Sequence, residues 1–272
     1  MNFSINLDLL NEKTIKELAR DPGTPPDLIS YLAKSSGLGG YTDGIANVKR
    51  DCASNPSCPL ETLLYLIEEG SKHLKDRIKN RPFQINCSWG YMIMKECSFN
   101  PNCDVEIIIN ILKEVPESIS NPRIPESIIR EFYAKESAKI YNSDLLSVLA
   151  SNPNCPVDIL VDLSNRTEAG KTSSWLECAV ARNKKTPPEI LVKLSRHWEG
   201  KNSNHKDIRK SVVGNKNTPI PVLYSIIQNE DSGRLTDKAR ETIKEIKEGL
   251  TEEEFKKVER MHEILYMGKH FI

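Results

Sequence analysis

The chain has 272 residues, 38% of them hydrophobic and 28% charged, and its 38 basic residues are balanced by 38 acidic ones. That composition excludes a disordered chain, and the zero net charge excludes a global attraction to nucleic acid or anionic membrane, so any electrostatic function must come from local segregation. No stretch approaches the roughly 18 uninterrupted apolar residues of a membrane span, the opening MNFSINLDLLNEK reaches charge too early for a signal core, and seven cysteines, an odd number, point to reduced thiols and a cytoplasmic location.

In chain order, a first helical signal over residues 9–18 leads into DPGTPPDLISYL from Asp21. The same pattern returns as NPSCPLETLLYL from Asn55, NPNCDVEIIINIL from Asn100, NPRIPESIIREF from Asn121, NPNCPVDILVDL from Asn152, NKKTPPEILVKL from Asn183 and NKNTPIPVLYSI from Asn215. The spacings are 34, 45, 21, 31, 31 and 32 residues, so an insertion in one copy is matched by a truncation in the next, and about seven units with a period near 32 dominate the sequence. The insertion falls around KHLKDRIKNR, read as a basic inserted loop holding Lys72, Lys75, Arg77, Lys79 and Arg81.

Within each unit, Thr24, Thr186 and Thr218 stand where a helix N-cap is expected, with Pro25, Pro187 and Pro219 at the first helical position. Asp27 and Glu189 would complete capping boxes. Apolar residues at offsets seven, eight and eleven, such as Ile159, Leu160 and Leu163 or Ile190, Leu191 and Leu194, form one stripe of a short helix. A second helical run, such as DLLSVLASN or WLECAVARN, precedes each turn. Helices this short are marginal alone and gain stability by stacking on their neighbours. Residues 234–272 break the repeat: LTDKARETIKEIKEG ends at Gly249, and Thr251 with Glu254 restarts a helix through a capping box.

The run Asn-Pro-x-Thr-Pro followed by x-x-x-Leu-x-x-Leu-Ala, with DPGTPPDLISYLA as its nearest copy, resembles the variant leucine-rich repeat over about residues 8–230. The resemblance implies an all-α fold: a right-handed-type α-solenoid of about seven two-helix repeats, an α-helix alternating with a short α or 3₁₀ helix, similar in shape to armadillo and HEAT rods. It assigns residues 1–233 to the solenoid, with turns near 21, 55, 100, 121, 152, 183 and 215, and 234–272 to a helical cap. The founding member of that family carries an iron–sulfur cluster on a cysteine-rich N-terminal segment. Residues 1–51 contain no cysteine, so no such cluster carries over, and no cofactor is expected.

Cys58, Cys103 and Cys155 occupy the repeat position held elsewhere by threonine, and Cys52 and Cys97 an apolar one, which reads as small buried residues. The sharper alternative is a metal site on the two Cys-x5-Cys units, Cys52 with Cys58 and Cys97 with Cys103. Gly170-Lys171-Thr172 imitates the end of a P-loop, but its leading glycine is replaced by Asn165; HEILY at His262 lacks the second histidine of a zinc-protease helix, where Tyr266 stands. No catalytic constellation emerges. Trp89, Trp175 and Trp198 fall in linkers and are expected to plug gaps between layers, with Trp198 the best candidate for an exposed anchor.

Charge is asymmetric at one place. Over residues 182–216, ten basic residues face Glu189, Glu199 and Asp207, a net of +7. The expected function is a non-catalytic scaffold presenting a concave surface to a protein partner in a bacterial-type cytoplasm, with Lys193, Arg196, Trp198, Lys201, Lys206, Arg209 and Lys210 as its contact residues. The alternatives are non-sequence-specific nucleic-acid binding through the same residues and, third, the metal or iron–sulfur site on the cysteines.

Overall fold

The turn motif forces one helix to stop and another to begin. Proline disfavours α geometry in the residue ahead of it, and Asn100 (φ −65°, ψ 134°) and Asn121 (φ −63°, ψ 127°) are extended accordingly. The computed structural model describes residues 11–35, 44–80, 88–138, 143–168, 174–196, 204–229 and 233–267, and among them it is all-helical, without a strand. The chain divides into two units, Met1–Ile124 and Pro125–Ile272.

The first unit holds α1 (Glu12–Arg20), α2 (Pro26–Lys34), α3 (Gly44–Ser54), α4 (Leu60–Asn80), α5 (Trp89–Phe99), α6 (Val105–Leu112) and a 3₁₀ helix (Pro116–Ser120). α3 packs against both α1 and α5, and α4 lies along α5. The second unit holds α7 (Glu126–Glu136), α8 (Ser143–Ala150), α9 (Val157–Glu168), α10 (Ser174–Arg182), α11 (Pro188–Ser195), α12 (Asn204–Val213), α13 (Ile220–Asn229), α14 (Gly233–Glu248), α15 (Glu252–His262) and a π-helical turn (Glu263–Met267). Here α10 packs between α8 and α12, and α12 packs on α14. The apolar stripes face inward as their spacing requires: Ile29, Leu63, Ile108, Leu160, Leu191 and Leu223, all at offset eight, are buried. Each such side chain contributes about 1.5–3 kcal/mol by leaving water. Leu235 and Ala239 of α14 close over Val213, Leu223 and Ile226, and the capping box forms as expected, with Glu254 N–H donating to Thr251 Oγ1 (3.3 Å) and Thr251 N–H to Glu254 Oε2 (2.8 Å).

All six turn asparagines are buried, and within each unit they hold the turns to one another. Each side-chain oxygen accepts the N–H two residues on, as in Ser57 to Asn55 (2.8 Å) and Lys185 to Asn183 (2.9 Å). The amide then reaches the preceding turn: Asn55 Nδ2 donates to Ala19 O (2.8 Å) and Asp21 O (2.9 Å), and Asn100 Nδ2 to Ala53 O (2.7 Å) and Asn55 O (2.8 Å). In the second unit, Asn183 Nδ2 donates to Ala150 O (2.7 Å) and Asn152 O (2.8 Å), and Asn215 Nδ2 to Ala181 O and Asn183 O (both 2.8 Å). Helix C-termini leave carbonyls without partners, and Asn55, Asn100, Asn183 and Asn215 each supply two donors to that end of the neighbouring turn. At the first turn the residue is Asp21, which is exposed and only accepts, from Gly23 N–H (2.9 Å).

Two expectations about these elements are corrected. The threonines do not cap the following helix: Pro25 and Pro187 are the N-cap residues, with no side-chain cap, so the Asp27 and Glu189 capping boxes do not form. Instead Thr24 Oγ1 donates back to Leu18 O (2.7 Å) and Thr218 Oγ1 to Val212 O (2.6 Å), tying the turn to the helix before it. Nor is the basic insertion a loop over its described residues, 72–80; Arg81 lies outside them. Residues Lys72 to Asn80 continue α4 without a break, because Leu66, Gly70, Leu74 and Ile78 recur every four residues and prolong the apolar face of the helix. The compensating truncation is the five-residue 3₁₀ helix, which stands where other repeats place an α-helix.

Candidate macromolecule-binding surfaces

The described part of the basic region lies at the end of α10, on α11 and α12, and in the turns before α11 and after α12. Lys193 does not stand free on the surface: its Nζ donates to Ser164 O (3.2 Å) and Asn165 Oδ1 (3.1 Å) on α9. Lys216 pairs with Glu245 of α14 (2.9 Å), which holds that carboxyl below its ordinary range. Arg196 is exposed at the end of α11, Arg209 is half-buried and Lys210 is exposed. Trp198, Lys201 and the side chain of Lys206 lie outside the described residues. The region therefore presents fewer open cations than its sequence count suggests.

Among the described residues, Arg182, Lys184, Lys185 and Lys210 are exposed cations that no ion pair engages. Arg182 at the end of α10 and Lys210 on α12 come together, lining with Ser211 and Gly214 a shallow hollow of about 220 Å³. α10 and α12 stack side by side because their apolar residues Val180 and Val212 are both fully buried. The helix ends, and hence the two cations, arrive at one edge.

The thiols of both Cys-x5-Cys units lie in the protein interior. Cys52, Cys58, Cys97, Cys103 and Cys155 are all buried, and burial pushes Cys58 and Cys155 up to about 12 and Cys103 to about 11, and raises Cys52 and Cys97 well above the ordinary thiol range. Among the described residues no three His, Cys, Asp or Glu side chains gather to hold an ion. Cys87 lies outside the described residues, as do Gly170, Lys171 and Thr172.

Tryptophan placement departs from expectation. Trp175, at the start of α10, is 67% exposed and plugs no gap. Trp89 is half-buried and stacks on His73 at 4.1 Å between ring centroids. Burial, followed by the nearby Arg77 guanidinium, lowers the affinity of His73 for a proton. His262, the only histidine of HEILY, receives the Ile220 N–H at Nδ1 (3.4 Å) and is a packing residue.

The displaced acids and bases on α7 and α9 belong to a surface network. Arg130 grips Asp158 through two bonds (2.7 and 3.0 Å) and Glu126 through another (2.9 Å), while Tyr133 donates to Asp162 beside Arg166. The Arg130 hydrogen bonds hold Asp158 below the usual carboxylate range. These partners satisfy one another.

One surface was missed in the sequence. A groove lies between the extended part of α4, the start of α5 and the end of α6, with Leu74, Ile78, Tyr91 and Pro116 in its lining. The signal for it was the helical spacing of Leu74 and Ile78 within the supposed loop. Compared with known protein families, curated proteins and solved structures, the chain matches none of them.

Proposed function

We propose that the chain is an α-solenoid of the variant leucine-rich repeat kind, with about seven two-helix repeats and a cap over 234–272, and that it works without catalysis as a scaffold for a protein partner. The observation that carries this reading is the turn-to-turn asparagine bonding, which recurs with the same donors and acceptors in both units. A bonding scheme that repeats along the sequence extends a surface instead of closing a pocket, and the displaced ionisable groups among the described residues are mostly buried thiols, packed rings or partnered surface charges, with the half-buried Glu117 carboxyl, raised by burial, as an exception. Small-angle scattering tests the shape. The radius of gyration is expected well above the ~18 Å of a globular chain of this length; a value at that figure rejects the solenoid.

The contact surface is proposed to include Arg182, Lys184, Lys185 and Lys210, with Arg196 and Arg209 beside them. The hollow between Arg182 and Lys210 also favours a second reading, binding of a nucleic-acid phosphate backbone. Affinity capture with the wild-type chain and with the double variant Arg182→Glu, Lys210→Glu separates them. A defined protein retained by the first and lost by the second supports the scaffold. Duplex binding at ~50 mM salt that falls by orders of magnitude by 200 mM supports the phosphate reading, and the absence of both rejects this surface.

A further inference from the structure

α4 has 21 residues, whereas α2, α6, α7, α9, α11 and α13, which follow the same turn motif, have 8 to 12. The repeat does not need the extra turns, yet they build the groove noted above, about 420 Å³ in volume, which is the size of a ligand site. Its floor is apolar: Leu74 is fully buried, Ile78 is 46% exposed, and Pro116 starts the 3₁₀ helix. Tyr91 also lines it, and although this residue is only 4% exposed its hydroxyl is buried without a hydrogen-bond partner. Buried hydroxyls are nearly always paired, so an unpaired one in a groove wall marks a place where a ligand atom belongs.

The rim is charged. Glu114 is satisfied, accepting Ser71 Oγ (2.9 Å to each oxygen) and lying 3.6 Å from Lys75 Nζ. Lys113 is exposed, donates only to the neutral Asn110 Oδ1 (2.8 Å) and meets no carboxylate. Of the charged side chains that line the groove, Lys75 and Lys113 outnumber Glu114, leaving one positive charge in excess.

We propose that this groove binds a short peptide segment of a partner protein in which an apolar side chain stands beside an acidic one. The apolar side chain covers Ile78, Leu74 and Pro116, and the carboxylate takes the Tyr91 hydroxyl proton as a hydrogen bond and the charge of Lys113. A neutral hydrogen-bonding group would satisfy Tyr91 and leave the cationic rim unused. A groove open to solvent suits a segment that enters and leaves, and this inference rests on the protein-partner reading above while placing contact on a different surface.

The test is selection of twelve-residue peptides from a random displayed library on the full chain, followed by titration of the selected peptides. Selected sequences are expected to carry Leu, Ile, Phe or Met within two positions of Asp or Glu. Ile78→Asp and Lys113→Glu should each weaken binding at least tenfold, and Tyr91→Phe about tenfold, the loss of one hydrogen bond to a charged group. Tyr91→Phe should at the same time leave the melting temperature unchanged or raise it, because it deletes an unpaired buried hydroxyl. Lys210→Glu should leave peptide binding unchanged, which separates this groove from the basic hollow. Selection of peptides without an acidic residue, selected peptides indifferent to Ile78→Asp, no selection at all, or octanoate binding as tightly as the peptides would each overturn the proposal. The scaffold reading would survive those outcomes if a captured protein were still lost on charge reversal at Arg182 and Lys210.

Discussion

Asn183→Ala is expected to lower the stability of the second unit by about 2–5 kcal/mol, because it strips partners from two buried carbonyls at about 1–3 kcal/mol each. The carbonyls are Ala150 O and Asn152 O, and the Lys185 N–H loses its acceptor as well. Against a total stability of about 5–15 kcal/mol, that is enough to unfold a marginal domain. Asn217 provides the control. Its Nδ2 donates to Lys184 O (2.7 Å) and Thr186 O (3.2 Å) in the same manner, but its side chain is exposed, so water replaces it and Asn217→Ala should cost under about 1 kcal/mol. Urea denaturation followed by circular dichroism measures both. Equal effects would show that the buried asparagines are not what joins the turns.

Asn183→Asp sharpens the same point through pH. The carboxylate would face two carbonyl oxygens with no donor from either, so its folded-state pKa must rise above the ordinary ~4 of an aspartate. A raised carboxyl pKa means that the native state binds more protons than the unfolded one, so stability falls as pH rises from the unfolded value through the folded one. The variant should therefore be most stable in acid and weakest near neutrality, the reverse of the usual acid denaturation. A flat profile between pH 4 and 7 would contradict a fully desolvated site.

The repeat frame was legible in the sequence because its signals are local. Asn-Pro breaks a helix within two residues, and the stripe at offsets eight and eleven needs only one helix to show itself; Leu160, Leu163, Leu191 and Leu194 lie buried where that spacing placed them. The role of the asparagine was not legible, since its amide partners lie 23 to 47 residues earlier in the chain. Threonine was misjudged for a related reason. An N-cap and a bond back to the previous helix use the same residue next to the same proline, and only the backbone path decides between them. The basic extension of α4 was misread because the period suggested a loop where the apolar spacing of Leu74 and Ile78 suggested helix, and the spacing prevailed. For the basic surface, the sequence located the charge but not its neutralisation, since Lys193 and Lys216 are engaged by residues about 28 positions away on α9 and α14. Trp175 carried no local sign of its exposure.

Gly90→Ala should be the most damaging methyl group that can be added to the first unit. In an ordinary helix position glycine to alanine gains about 0.5–1 kcal/mol. At Gly90, second residue of α5, the new Cβ would overlap the backbone carbonyl oxygen of Gly70 and lie 3.2 Å from its carbonyl carbon and 3.1 Å from His73 Nδ1. Backbone in the middle of α4 cannot step aside as a side chain would, so the two helices must part. A cost of about 3 kcal/mol or more follows from forced overpacking. Gly233→Ala, at the start of α14 with nothing within 4 Å of its would-be Cβ, should be neutral or slightly stabilising. Because Tyr91 follows Gly90 directly and α4 carries Leu74 and Ile78, parting the helices also reshapes the groove. Gly90→Ala should then lose peptide binding even at temperatures where circular dichroism shows it folded. A Gly90→Ala chain that melts like the wild type would mean that α4 and α5 do not approach this closely, and the groove they build between them would lose its basis.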